Sequence, residues 1–131
     1  MTALAFREPD QVAFDFDAVR QPQELPLRSL ERCHTSRFTA WRGRTGRRYV
    51  ASSFAVRDSE ALCFADSVLI AVRRDRSIIS VREAGPWGLE AATMRWRDEV
   101  EAAGASEIHV HLIAATAEER RKVVADLTPV H

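Results

Sequence analysis

Residues 37–56, RFTAWRGRTGRRYVASSFAV, combine two strand-like runs with a turn between them. Aromatic and β-branched side chains, which are enriched in strands, lie on either side of a glycine-containing segment. Gly46 can take the positive φ that such turns need. A three-residue loop would place Trp41 opposite Tyr49, whereas a two-residue loop would place it opposite Val50. The stretch therefore predicts a β-hairpin whose register stays open.

The chain continues with two further strand patterns. Residues 67–72, SVLIAV, are apolar on both faces, which is typical of a central strand covered on two sides. A turn at 73–76 follows, and residues 77–83, SIISVRE, then form the antiparallel partner. Residues 37–83 thus predict a four-stranded antiparallel meander.

The periodicity changes after residue 85. Leu89, Thr93, Trp96 and Val100 recur at spacings of three and four, which predicts an amphipathic helix. Residues 106–114, SEIHVHLIA, alternate with period two and predict a strand. A capping box, TAEE at residues 116–119, then begins a second helix that runs to about Leu127.

These patterns predict a single-domain α+β fold with the order ββββαβα. Each helix has one apolar stripe to bury, so we expect both helices on one face of a mixed five-stranded sheet, with the other face open. Residues 1–27, which hold three of the five prolines, predict an extended N-terminal arm that can be partly disordered. The domain proper is expected to span residues 28–131.

Composition limits the functional classes. With 131 residues, 46% hydrophobic and 29% charged, the chain has the composition of an ordinary globular protein. Two cysteines are too few for a disulfide framework, and the start lacks the pattern of a signal peptide, so we expect a reduced, cytoplasmic setting. No apolar stretch is long enough to cross a bilayer, so we expect no membrane partner. No sequence pattern indicates a cofactor.

The formal net charge is zero, but the charges are segregated along the chain. Residues 28–76 carry eleven arginines against five acids, a net charge of +6, whereas residues 1–27 and 82–131 each carry −3. The basic middle can therefore bind an anionic partner, or pair with acidic flanks of the same chain or of another copy.

The predicted hairpin is the first candidate site. It interleaves cations, which suit phosphates, with aromatic rings, which suit base stacking. The candidate contacts for an anion or nucleic acid are Arg37, Trp41, Arg42, Arg44, Arg47, Arg48 and Tyr49. The alternative is a solvated hairpin tip whose arginines pair with acids elsewhere in the fold.

Two further candidates are less complete. Between the fourth strand and the first helix, Arg82, Gly85, Trp87 and Gly88 could form a small-anion pocket at a helix start. His109 and His111 lie two apart on a strand, so both imidazoles leave the same face and could bind a metal if a third ligand joined them. The alternative is a polar pair that faces solvent.

No complete catalytic set is present, so we predict a binding or assembly module and not an enzyme. Its contact surface would be the basic hairpin, residues 37–50, or the open face of the sheet. Its partner would be a protein, a second copy of the chain or nucleic acid. The alternative is a small metal-dependent or acid–base enzyme that uses His109 and His111.

Overall fold

A computed structural model describes residues 20–25 and 37–130. Most of the predicted arm, and its boundary with the domain, lie outside these residues. The α+β class is confirmed. The elements in chain order are β1 (Gln23–Leu25), β2 (Phe38–Arg42), β3 (Arg48–Ala55), a short 3-10 helix (Ser59–Cys63), β4 (Val68–Arg73), β5 (Ile78–Glu83), α1 (Ala91–Ala102), β6 (Ala105–His111) and α2 (Ala117–Leu127).

The strands form one antiparallel sheet in the order β1-β2-β3-β6-β4-β5. The prediction of a mixed five-stranded sheet is wrong, because β1 adds a sixth strand and every pairing is antiparallel. The four-stranded meander is also wrong, because β6 lies between β3 and β4 and pairs with both. The connection that contains the 3-10 helix links β3 to β4, which are therefore not neighbours in the sheet, and β6 lies between them.

The two helices cover opposite faces of the sheet, so the prediction of both on one face is wrong. On one face, Trp96 and Val100 of α1 pack in a cluster with Leu69 of β4. On the other, Val123 of α2 packs with Ile70. The reason is visible in β4, whose residues are buried on both sides and need a cover on each. On the face opposite α2, α1 covers the centre of the sheet, where Leu69 is buried, whereas Phe38 of β2 and Val50 of β3 stay exposed.

The sheet is strongly curled. Glu24 of β1 contacts Arg76, in the turn between β4 and β5, with a nitrogen–oxygen distance of 2.7 Å. Four strand spacings separate β1 from β4, which would be about 19 Å in a flat sheet. The curl brings side chains from distant strands together on the face that α2 covers, called here the α2 face.

The register of the hairpin is resolved. Trp41 pairs with Tyr49, which corresponds to the three-residue loop, and Gly46 has a φ of 95°. The capping box at the start of α2 is confirmed, because Thr116 and Glu119 each bond the other's backbone amide. None of the helices in the described ranges is long and apolar enough to cross a membrane.

Candidate anion-binding site

The tip of the β2–β3 hairpin docks on the C-terminal half of α2 through Asp126. The Asp126 carboxylate accepts hydrogen bonds from the Thr45 amide (2.8 Å), the Thr45 hydroxyl (2.8 Å) and the Tyr49 hydroxyl (2.7 Å). Burial, together with the bond to this carboxylate, raises the pKa of Tyr49 well above its usual value. The hairpin and α2 are therefore fixed to each other by a buried polar contact.

The backbone of the hairpin comes very close to α2. A side chain at Gly43 would overlap with the Asp126 carboxylate, so only glycine permits this approach. The Arg44 amide donates to the Asp126 carbonyl (3.0 Å), and the Arg44 guanidinium donates to the Ala125 carbonyl (2.9 Å). These contacts hold the charge of Arg44 in place beside the helix.

A groove lies along this junction. A cavity of about 550 Å³ is lined by Arg44, Thr45, Arg47, Tyr49, Lys122, Ala125 and Asp126. A second cavity, of about 310 Å³, is lined by Arg47, Arg48, Tyr49, Val50, His111, Ile113, Ala114, Glu119, Lys122 and Val123. Because the two share Arg47, Tyr49 and Lys122, we treat them as one groove, called here the hairpin groove.

The hairpin groove has more positive than negative charge. Its four cations are Arg44, Arg47, Arg48 and Lys122, and its two acids are Asp126 and Glu119. The Asp126 carboxylate accepts hydrogen bonds from Tyr49 and Thr45, and the Glu119 carboxylate accepts hydrogen bonds from two backbone amides at the start of α2. Within residues 20–25 and 37–130, neither acid forms an ion pair with a cation of the groove.

The aromatic part of the predicted hairpin site is buried. Trp41 is 0% exposed and Tyr49 is 5% exposed, so neither ring face is available to stack on a base. Arg47 lies over the Tyr49 ring, 5.9 Å from its centroid. Arg37 lines a separate cavity, and Arg42 lines neither part of the groove.

The structure therefore brings together Arg44, Arg47, Arg48 and Tyr49 of the seven predicted residues. It adds Lys122, Asp126 and His111, which sequence reasoning did not assign to this site. Lys122 and Asp126 belong to α2, and nothing in the hairpin sequence indicates that α2 packs against it. Gly43 was the one available signal, since a second glycine within a short hairpin is consistent with a close backbone approach.

His111 contributes an imidazole to the groove. Its Nδ1 lies 2.8 Å from the Val50 carbonyl oxygen. A carbonyl only accepts, so Nδ1 carries the proton in the neutral ring and Nε2 has a free lone pair. No residue of the described chain hydrogen-bonds Nε2. His111 lines the smaller cavity of the groove, so Nε2 is the ring nitrogen left to bond a ligand there.

His109 has a different environment. It is fully buried, and its Nδ1 accepts the Trp41 indole N–H at 2.9 Å, with the Thr39 hydroxyl at 3.1 Å. Since an indole N–H only donates, the proton of the neutral ring lies on Nε2 and is donated to Glu107 at 2.8 Å. Both ring nitrogens are therefore engaged.

The predicted histidine pair shares one face of β6, but it is not brought together as a metal site. The described ranges contain no group of three histidine, cysteine or acidic side chains that could hold a metal ion. The alternative interpretation, a pair that faces solvent, is wrong, because His111 is only 5% exposed and His109 is not exposed.

The predicted pocket between β5 and α1 does not assemble either. Arg82 points to the Thr93 hydroxyl, 3.4 Å away, and Trp87 is 83% exposed. The carboxylate of Glu90, at the N-cap of α1, lies 3.4 Å from the position of a Cβ on Gly85. A negative charge at the helix start disfavours an anion there.

No protein-family model, curated protein or solved structure matches this chain.

Proposed function

We propose that this protein is a binding module that holds an anionic group of its partner in the hairpin groove. The observation that carries the proposal is the excess of charge: four cations line the groove, and its two acids are engaged in hydrogen bonds within the fold. Lys122 also has an exposed ion pair with Glu118, at 3.8 Å, which an entering anion would compete with. An anion that enters would meet a net positive charge in a partly desolvated site, where attraction is stronger than in water.

The size and rigidity of the groove support this proposal. Its larger cavity, about 550 Å³, is in the range of sites that bind small molecules or single groups of a larger ligand. Arg44 is held by Ala125, and the walls are joined through Asp126. A cation that is already in place loses less conformational entropy on binding.

A short single-stranded oligonucleotide with a 5′-phosphate, titrated at two salt concentrations, tests the proposal. We expect binding at low salt that weakens as salt rises, since phosphate contacts release counterions. If the strand makes three phosphate contacts, the slope of log K against log salt should be about −2. Arg47→Gln should weaken binding, whereas Arg95→Gln, at an exposed position of α1, removes the same charge outside the groove.

Two results would exclude an anion-binding groove. One is no binding at low salt, or binding that is indifferent to salt. The other is an equal loss of affinity in Arg47→Gln and Arg95→Gln, which would indicate attraction by the overall charge and not by this site.

We also propose a protein-contact surface on β2 and β3, on the face away from α2. Phe38 is 39% exposed and Val50 is 40% exposed, and both side chains leave this face of the sheet. The partner that we propose for this surface is a second copy of the chain. Sedimentation of the wild type and of Phe38→Glu over a range of concentrations tests it, and a wild type that stays monomeric throughout would contradict it.

A further inference from the structure

We infer that the anion bound in the hairpin groove is a phosphate monoester, and that His111 shares one proton with a phosphate oxygen. The inference rests on the proposed anion-binding function and adds the chemical class of the ligand. It is carried by a buried imidazole whose Nδ1 is held by the Val50 carbonyl and which lines the groove together with Arg47, Arg48 and Lys122.

The orientation of His111 is fixed before any ligand binds. Its Nδ1–H is donated to the Val50 carbonyl at 2.8 Å, and the Tyr49 ring packs edge-on against it, with centroids 5.5 Å apart and an interplanar angle of 86°. Tyr49 is itself held by Asp126. A histidine that is oriented through one nitrogen presents the other in a defined direction, as acid–base and ligand-binding histidines do.

The charged and titratable groups around His111 come from two elements. Arg48 and Tyr49 begin β3 and Arg47 directly precedes it, whereas Glu119 and Lys122 lie on α2. Glu119 is engaged by the amides of the capping box. A neutral Nε2 has no proton to donate to a phosphate oxygen, so the proton that forms this hydrogen bond is expected to enter together with the ligand.

This arrangement selects among anions. A neutral Nε2 repels an oxygen that can only accept a hydrogen bond, such as that of a carboxylate or sulfate. A phosphate monoester releases its second proton near pH 6, within the range in which histidine titrates, so one proton can lie on either partner. Neutral His111 with a monoanionic ester and protonated His111 with the dianion contain the same atoms and the same total charge.

Calorimetric titration with glycerol 2-phosphate, at about pH 7.5 where the free ester is mainly dianionic, tests the inference. Repeating it in two buffers of different ionisation enthalpy measures the protons taken up. We expect an uptake approaching one proton per ester bound and weaker binding of sulfate. His111→Asn keeps an amide donor near the place of Nδ1 and should lose the uptake and at least about tenfold in affinity.

The outcomes separate this inference from the proposed function. Ester binding without proton uptake, or equal affinity in wild type and His111→Asn, would overturn the role of His111 and leave the anion site standing. If neither the ester, sulfate nor the oligonucleotide binds, both proposals fail. If His111→Asn does not fold, ¹⁵N resonances of the wild-type imidazole decide the question, because an unchanged Nε2 signal at saturating ester contradicts the shared proton.

Discussion

Two polar regions of the α2 face use similar residues in opposite ways. The first, called here the Glu107 network, joins Glu24, Arg76, Glu107, His109 and Trp41. Arg76 pairs with Glu24 at 2.7 Å and with Glu107 at 3.1 Å, so its charge is neutralised within the fold. In the hairpin groove, the cations face a cavity and its acids are engaged by uncharged donors. An arginine thus indicates a binding site only where the fold leaves its charge unpaired.

The two regions also differ in which group has a shifted pKa. The hydrogen bond from His109, supported by the charge of Arg76, lowers the pKa of Glu107 to about 2 against the opposing effect of burial. In the groove, it is the Tyr49 hydroxyl whose pKa is raised, by burial and by Asp126. The charges of the Glu107 network are thus paired with one another, although Arg76 and Glu107 also line a cavity of about 420 Å³. In the hairpin groove, neither Asp126 nor Glu119 pairs with a cation of its lining among the described residues.

The largest expected effect lies in the Glu107 network. Trp41→Phe removes buried volume and leaves the His109 Nδ1 without the indole donor, so we expect a loss of about 3 kcal/mol in the free energy of unfolding. Urea denaturation measures it. Trp87→Phe is the matched control, because Trp87 is 83% exposed and should change stability by less than about 0.5 kcal/mol. Similar losses in both variants would show that the network does not stabilise the fold.

Gly43→Ala should have the next largest effect. Its Cβ would overlap with the Asp126 carboxylate, so the hairpin must move away from α2, at a cost of about 2 kcal/mol. Gly85→Ala is the control, since its Cβ would meet Glu90 at an ordinary 3.4 Å. Oligonucleotide binding should weaken in Gly43→Ala alone. A stable Gly43→Ala with unchanged binding would show that the docked groove is not the site.

Local patterns predicted the individual elements well. The hairpin, the strands that became β4 to β6 and the two helices follow from periodicity, and the start of α2 follows from the capping box of Thr116 and Glu119. The strand order could not be predicted, because the insertion of β6 between β3 and β4 is a long-range choice. The faces of the helices were predictable in principle: a β4 that is apolar on both sides needs two covers.

The lining of the candidate groove could be predicted only in part, for the same reason. Arg44, Arg47 and Arg48 are local to one hairpin, and their charge is visible in the sequence. Lys122 and His111 join them only because α2 and β6 pack beside that hairpin. The burial of Trp41 could not be predicted, because the register of the hairpin, and with it the face that carries Trp41, stayed open. The buried Trp41 indole in turn decides the tautomer of His109.

The Glu107 network should make the free energy of unfolding depend on pH in the acid range. Because the folded-state pKa of Glu107 is lowered from its usual 4.5 to about 2, the folded state binds fewer protons than the unfolded state between these values. Its stabilisation is present above about pH 4.5 and is lost as the pH falls towards 2, by about 1 kcal/mol after allowance for solvent screening. Glu107→Gln should flatten this part of the stability profile, whereas Glu99→Gln, at an exposed position, should not. Identical profiles would contradict the network.

The smallest expected effect is that of a single cation of the groove. Lys122→Gln should reduce the salt slope for the single-stranded oligonucleotide by about 0.7, the contribution of one phosphate contact. Arg121→Gln is the control, since Arg121 is the preceding residue of α2 and lines a different cavity, beside β5. Both variants change the net charge equally, so non-specific attraction would lower both slopes by the same amount. A reduction confined to Lys122→Gln would place a phosphate between the hairpin and α2, where it competes with Glu118, 3.8 Å away, for the Lys122 ammonium.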